Sequence, residues 1–177
     1  MDYTYLKVII EKYSLPTIVI TGIVSIFMLI YDIFASKHVP KKLSNYLPFL
    51  LAVILYLSYD MIFVAKGFKL NVSAVSAGIL SGSLSVIVNA SIKRLKDGKL
   101  PAVNAIETVI ESLICAYVKK ELLNQTAIKI KQAVQTANGD IKAELNSILT
   151  ENLSEPAEEN ELNMLSSLIL KAVTALS

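Results

Sequence analysis

Two carboxylates stand inside otherwise apolar runs, Asp32 in LIYDIFA and Asp60 in LSYDMIFVA. An acid at membrane depth is expensive to ionise and is by default a functional candidate. Asp32 falls near a lysine-rich end, where solvent and Lys37 offer it a plain interfacial role. Asp60 lies deeper. It either bonds a serine of the following helix, reaches Lys66, or takes part in ion passage or gating. In an antiparallel hairpin the two acids lie near opposite faces, so no carboxylate pair is expected. Glu107 and Glu111 share a helix face at i, i+4, a spacing used in acid–base and metal chemistry. No Glu-x-x-His completes a di-metal set, which leaves a solvated face as the ordinary reading. His38 is the single histidine and sits among Lys37, Lys41 and Lys42. Cys115 is the single cysteine, so no internal disulfide forms, and it reads as packing. Phosphate-loop, nucleophile-elbow, dinucleotide and HExxH patterns do not occur. No catalytic residue, metal ligand or cofactor is expected, and the chain is not read as an enzyme.

The elements that would position these groups are set by long uncharged runs. The central one is 70–92, LNVSAVSAGILSGSLSVIVNASI, bracketed by Lys69 and Lys93. At about 1.5 Å per residue it is long enough, as a helix, to cross a hydrocarbon layer of about 30 Å. Nine of the thirteen residues from Ser73 to Ser85 are Gly, Ala or Ser. Ala74, Gly78 and Gly82 make one small-residue stripe, with a GxxxG pair. Ser73, Ala77, Ser81 and Ser85 make a second beside it. In lipid such stripes let helix backbones approach closely, and hydroxyls bond across the contact. Three uses compete: packing against the chain's own helices, self-association through Ala74, Gly78 and Gly82, or a wetted pore face carrying Ser73, Ser81 and Ser85.

The chain has 177 residues, 54% hydrophobic and 18% charged, with a mean hydropathy of +0.55. That is too apolar for an ordinary soluble domain. The expected fold is all-α and integral to a membrane, with three spans followed by amphipathic helices. Residues 1–14 read as an interfacial segment and 15–99 as a membrane domain with spans at about 15–35, 46–65 and 72–92. Residues 100–177 read as amphipathic helices at about 101–124, 125–137, 140–153 and 157–176. These form a small bundle, an oligomerising tail or a skirt on the membrane surface. Glu107 and Glu111 argue against 101–124 being a fourth span.

Residues 1–99 carry 11 basic and 5 acidic residues, whereas 100–177 carry 6 and 10. The basic groups sit at the ends of apolar runs, which suits membrane topology rather than nucleic acid. Lys37, Lys41, Lys42, Lys93, Arg94, Lys96 and Lys99 fall on one side, against Lys7, Lys12, Lys66 and Lys69 on the other. The positive-inside rule then puts the N-terminus outside and the C-terminus in the cytoplasm.

Three runs at 15–35, 46–65 and 72–92, followed by the basic segment KRLKDGK, resemble in layout the three-span phage holins. That resemblance implies a protein of the bacterial inner membrane that forms homo-oligomers and permeabilises the bilayer. The long helical tail departs from the usual short charged one. The alternative is a membrane-anchored scaffold that forms no pore and binds a protein partner through 101–177. A transporter or enzyme subunit is a third class, for which Asp60 is the residue to test.

Overall fold

The computed structural model describes residues 13–34, 39–64, 71–97, 104–136 and 140–176. Most of the interfacial segment expected at 1–14, the loop with Lys37 and His38, the turn with Lys66 and Lys69, and part of the basic linker lie outside these residues.

The fold is all-α. Helix α1 is Leu15–Phe34, α2 is Lys41–Tyr59 with a π-helical continuation Asp60–Val64, and α3 is Val72–Lys96. Each is long and apolar enough to cross a membrane. The shorter helices follow as α4 Ala105–Ile114, α5 Leu123–Thr136, α6 Ile141–Asn152 and α7 Glu159–Leu176.

Local chemistry explains several boundaries. Pro16 stands in the first turn of α1, where its missing N–H breaks no helical bond. Helix α2 begins at Lys41, directly after Pro40, rather than near Tyr46 as the apolar run suggested. A polar first turn therefore carries the helix beyond its apolar run, and Pro48 lies inside it. The Asn71 side chain caps α3 by accepting from the Ser73 N–H, and Lys93, Arg94 and Lys96 complement its carbonyl end. Asp140 caps α6 through the N–H groups of Lys142 and Ala143.

The amphipathic helix expected over 101–124 is broken. Helix α4 ends at Ile114, and α5 starts at Leu123. Between them the Tyr117 carbonyl accepts both the N–H and the hydroxyl of Ser154, each at 2.8 Å, and Val118 bridges Leu153. These distant partners take the backbone group that a continuous helix would have used internally.

Two apolar clusters hold the molecule. One joins α1 to α2 through Ile20, Val24, Met28, Tyr31 and Ala52. The larger one unites α4–α7 through residues such as Ile110, Ile130, Leu149 and Ile169, and it extends to Phe49 of α2 and to Ile79 and Val86 of α3. The tail is thus a bundle whose core continues into α2 and α3, packed against α3 chiefly by α7 and α4. The outer side of α1 remains apolar and exposed, with Val19, Ile23, Ile26, Phe27 and Ile30 at its surface.

Candidate functional site

The small-residue helix α3 stands between α1 and α2 and presents a different stripe to each. The glycine stripe meets α2. A Cβ placed on Gly78 would lie 2.6 Å from Val53 Cα, and one on Gly82 would lie 2.9 Å from Phe49 Cα and 3.2 Å from the Pro48 carbonyl oxygen. Contacts this short involve backbone, which has no rotamer through which to yield. Ala74 lies on the same stripe and is buried. The close approach offered by Gly78 and Gly82 is therefore occupied within the chain.

The serine stripe meets α1. Thr21 Oγ1 donates to the Ser81 carbonyl at 3.3 Å, and Ser25 Oγ donates to Ser85 Oγ at 3.1 Å. The Ser81 hydroxyl bonds back to the Ala77 carbonyl at 3.0 Å. Ser81 and Ser85 are both 0% exposed, so neither faces solvent in this arrangement. Ser73 is exposed at the start of α3, where its hydroxyl donates to Asn71 Oδ1 at 2.8 Å. The two helix contacts are thus of different kinds: close backbone packing toward α2, hydroxyl bonding toward α1.

Asp32 pairs with Lys93 at 2.6 Å, across the end of α1 and the last turns of α3. Both groups line a cavity of about 260 Å³, of mixed polar and apolar lining, with Asn45, Asn89, Ser112 and Cys115. Its walls offer acceptors and donors, and Asn89 Oδ1 is buried there without a hydrogen-bond partner. Asp60 is 6% exposed and opens the π-helical stretch, with no hydrogen bond to its Oδ2. Among the described residues no serine of α3 bonds it, and Lys66 lies outside them. The two acids are not brought together.

Glu107 and Glu111 are each engaged by α5. Lys131 Nζ bonds Glu107 at 3.0 Å, and Asn124 Nδ2 bonds Glu111 at 3.1 Å. Among the described residues no group of three His, Cys, Asp or Glu converges as a metal site. Cys115 is exposed, and Asn45 Nδ2 lies 3.3 Å from its Sγ.

One cluster has no signature in the sequence. Tyr46 of α2 and Tyr117, just after α4, share a hydroxyl hydrogen bond of 2.8 Å, and the Tyr117 hydroxyl donates to Glu161 Oε1 at 3.0 Å. Lys42 Nζ lies 3.2 Å from the same carboxylate and 4.8 Å from the centroid of the Tyr117 ring. Burial first, then the Tyr46 hydroxyl and the Glu161 carboxylate, hold the Tyr117 phenol well above its ordinary range. This latch fastens the bundle to the start of α2. Its members are separated by as many as 119 positions, so no local periodicity joins them.

Among protein families, curated proteins and solved structures, none matches this chain.

Proposed function

We propose that the chain is a multi-pass membrane protein of the bacterial inner membrane that acts as an anchored interaction module. Helices α1, α2 and α3 are the anchor, with the N-terminus outside. The α4–α6 part of the bundle presents itself to a protein partner from the cytoplasmic side. The observation that carries this reading is the filling of both small-residue stripes of α3 by the chain's own α1 and α2. A surface used in this way is a structural hub, with Ser81 and Ser85 turned into the helix contact and away from water. The bundle supports the reading further, since its four helices share one apolar cluster and it is latched to α2 through Tyr46, Tyr117 and Glu161.

The holin-like reading is the second one, and the hydroxyl seam favours it. Thr21, Ser25, Ser81 and Ser85 gather polar groups between α1 and α3. A water path along that seam requires the two helices to part, and a homo-oligomer lined by Ser81 and Ser85 would follow.

Induced expression in bacteria, with membrane potential and entry of an impermeant dye recorded, separates the two. The anchored-module reading expects an unchanged potential with the protein recovered in the membrane fraction. Abrupt depolarisation would transfer the assignment to the holin-like reading.

A further inference from the structure

Helix α7 does not sit on the end of the α1–α3 group. Its first turn is tied to the start of α2 by Glu161 and Lys42, 3.2 Å apart. From there it runs against α3, within the same apolar cluster as Ile79 and Val86. Between α2 and α7 lies a cleft of about 560 Å³, lined by Leu43, Leu50 and Ile54 of α2, Ile79 of α3, and Met164 and Leu168 of α7. Ile54 is about 18 Å along α2 from Lys42 at 1.5 Å per residue, so the cleft extends well into the length of that span. Four of these residues remain more than half exposed: Leu43 56%, Leu50 53%, Ile54 54% and Met164 54%. Lys171 is the one ionised side chain on its lining, and a lysine stem lies along apolar surface while its head reaches outward. The exposed faces of α5 and α6 differ, carrying Lys129, Lys142, Glu144 and Glu151.

We infer that α7 stands in the apolar layer beside α2 and α3, and that the α2–α7 cleft holds an acyl chain of a bilayer phospholipid. Three observations select this occupant. Leu43, Leu50 and Ile54, which line it, are themselves exposed apolar residues of a helix long and apolar enough to cross a membrane. Its lining is almost entirely aliphatic and aromatic, which matches the chemistry of an acyl chain. Its exposed apolar surface is stabilised by contact with hydrocarbon and costs free energy against water. The tail is then a lipid-contacting part of the molecule and not a detached cytoplasmic appendage.

The inference rests on the membrane reading proposed above, and the test separates the two. The chain contains no tryptophan, so each substitution introduces a single reporter. Full-length Met164→Trp, Leu50→Trp, Ile26→Trp and Ser147→Trp variants are reconstituted in phosphatidylcholine vesicles. They are quenched either by lipid brominated at mid-chain or by aqueous iodide. Ile26 lies on the exposed side of α1 and reports the membrane reading; Ser147 lies on the exposed face of α6 and reports water. Expected is bromolipid quenching of Met164→Trp and Leu50→Trp at least half as strong as that of Ile26→Trp, with Ser147→Trp at least threefold more sensitive to iodide. Met164→Trp and Leu50→Trp behaving like Ser147→Trp would overturn the lipid-filled cleft and leave the anchor intact. Protection of both from either quencher would overturn it in favour of a second copy covering the cleft. Loss of bromolipid quenching at Ile26→Trp would overturn both readings.

Discussion

Gly78 and Gly22 are both helical glycines, and they predict opposite outcomes. Around Gly22 nothing lies within 4 Å of an added Cβ, so Gly22→Ala relieves backbone entropy and is neutral or stabilising by up to about 1 kcal/mol. At Gly78 the added methyl meets Val53 Cα at 2.6 Å, so α2 and α3 must separate. Gly78→Ala is expected to destabilise by about 1–3 kcal/mol, read from thermal unfolding in detergent micelles. Equal midpoints for the two variants would contradict the packing. Tyr117 gives a pH test. Its phenol titrates higher in the folded chain than in the unfolded one. As pH rises, the unfolded chain therefore loses that proton first. The contribution to stability is complete below about pH 10 and is lost as pH rises above it. Tyr117→Phe is expected to flatten the decline above pH 10 in an unfolding series. An unchanged alkaline slope would contradict the raised titration of the buried Tyr117 phenol.

At the scale of elements, the bundle shares its apolar core with α2 and α3, and the latch adds a polar tie at the start of α2. Leu149 is fully buried in α6, and Leu149→Ala is expected to cost about 2–5 kcal/mol in chemical denaturation. Lys42 is different: its side chain is 45% exposed, so its pair with Glu161 contributes less than about 1 kcal/mol. Glu161→Gln should therefore matter more through the Tyr117 hydroxyl than through Lys42. Hydrogen exchange across the first turn of α7 would show it: faster exchange in Tyr117→Phe than in Lys42→Ala is expected. Helices α1 and α3 were legible because their uncharged runs are long and bracketed by charge. The start of α2 was less so, because its first turn is polar and an apolar run does not record it. The break after Ile114 was hidden, since Val118 keeps the helical spacing while its neighbour's carbonyl is bound by Ser154. Spacing by four marked Gly78 and Gly82 as a close approach, but a stripe does not name the helix that fills it. Tyr117 and Glu161 are 44 positions apart, and only the folded chain joins them.

At the scale of the whole molecule, α3 is the shared wall between two parts. On one side lies the α1–α2 pair with its apolar outer surface, and on the other the α4–α7 bundle. Both small-residue stripes of α3 serve the first side, tying α1, α2 and α3 together through the chain's own contacts. The measurement that tests this most directly is membrane potential after induced expression, with the protein confirmed in the membrane. The account predicts a steady potential and exclusion of an impermeant dye, with α3 remaining closed between α1 and α2. Sudden depolarisation with dye entry would contradict it, because an ion path along α3 requires the seam at Ser81 and Ser85 to open to water.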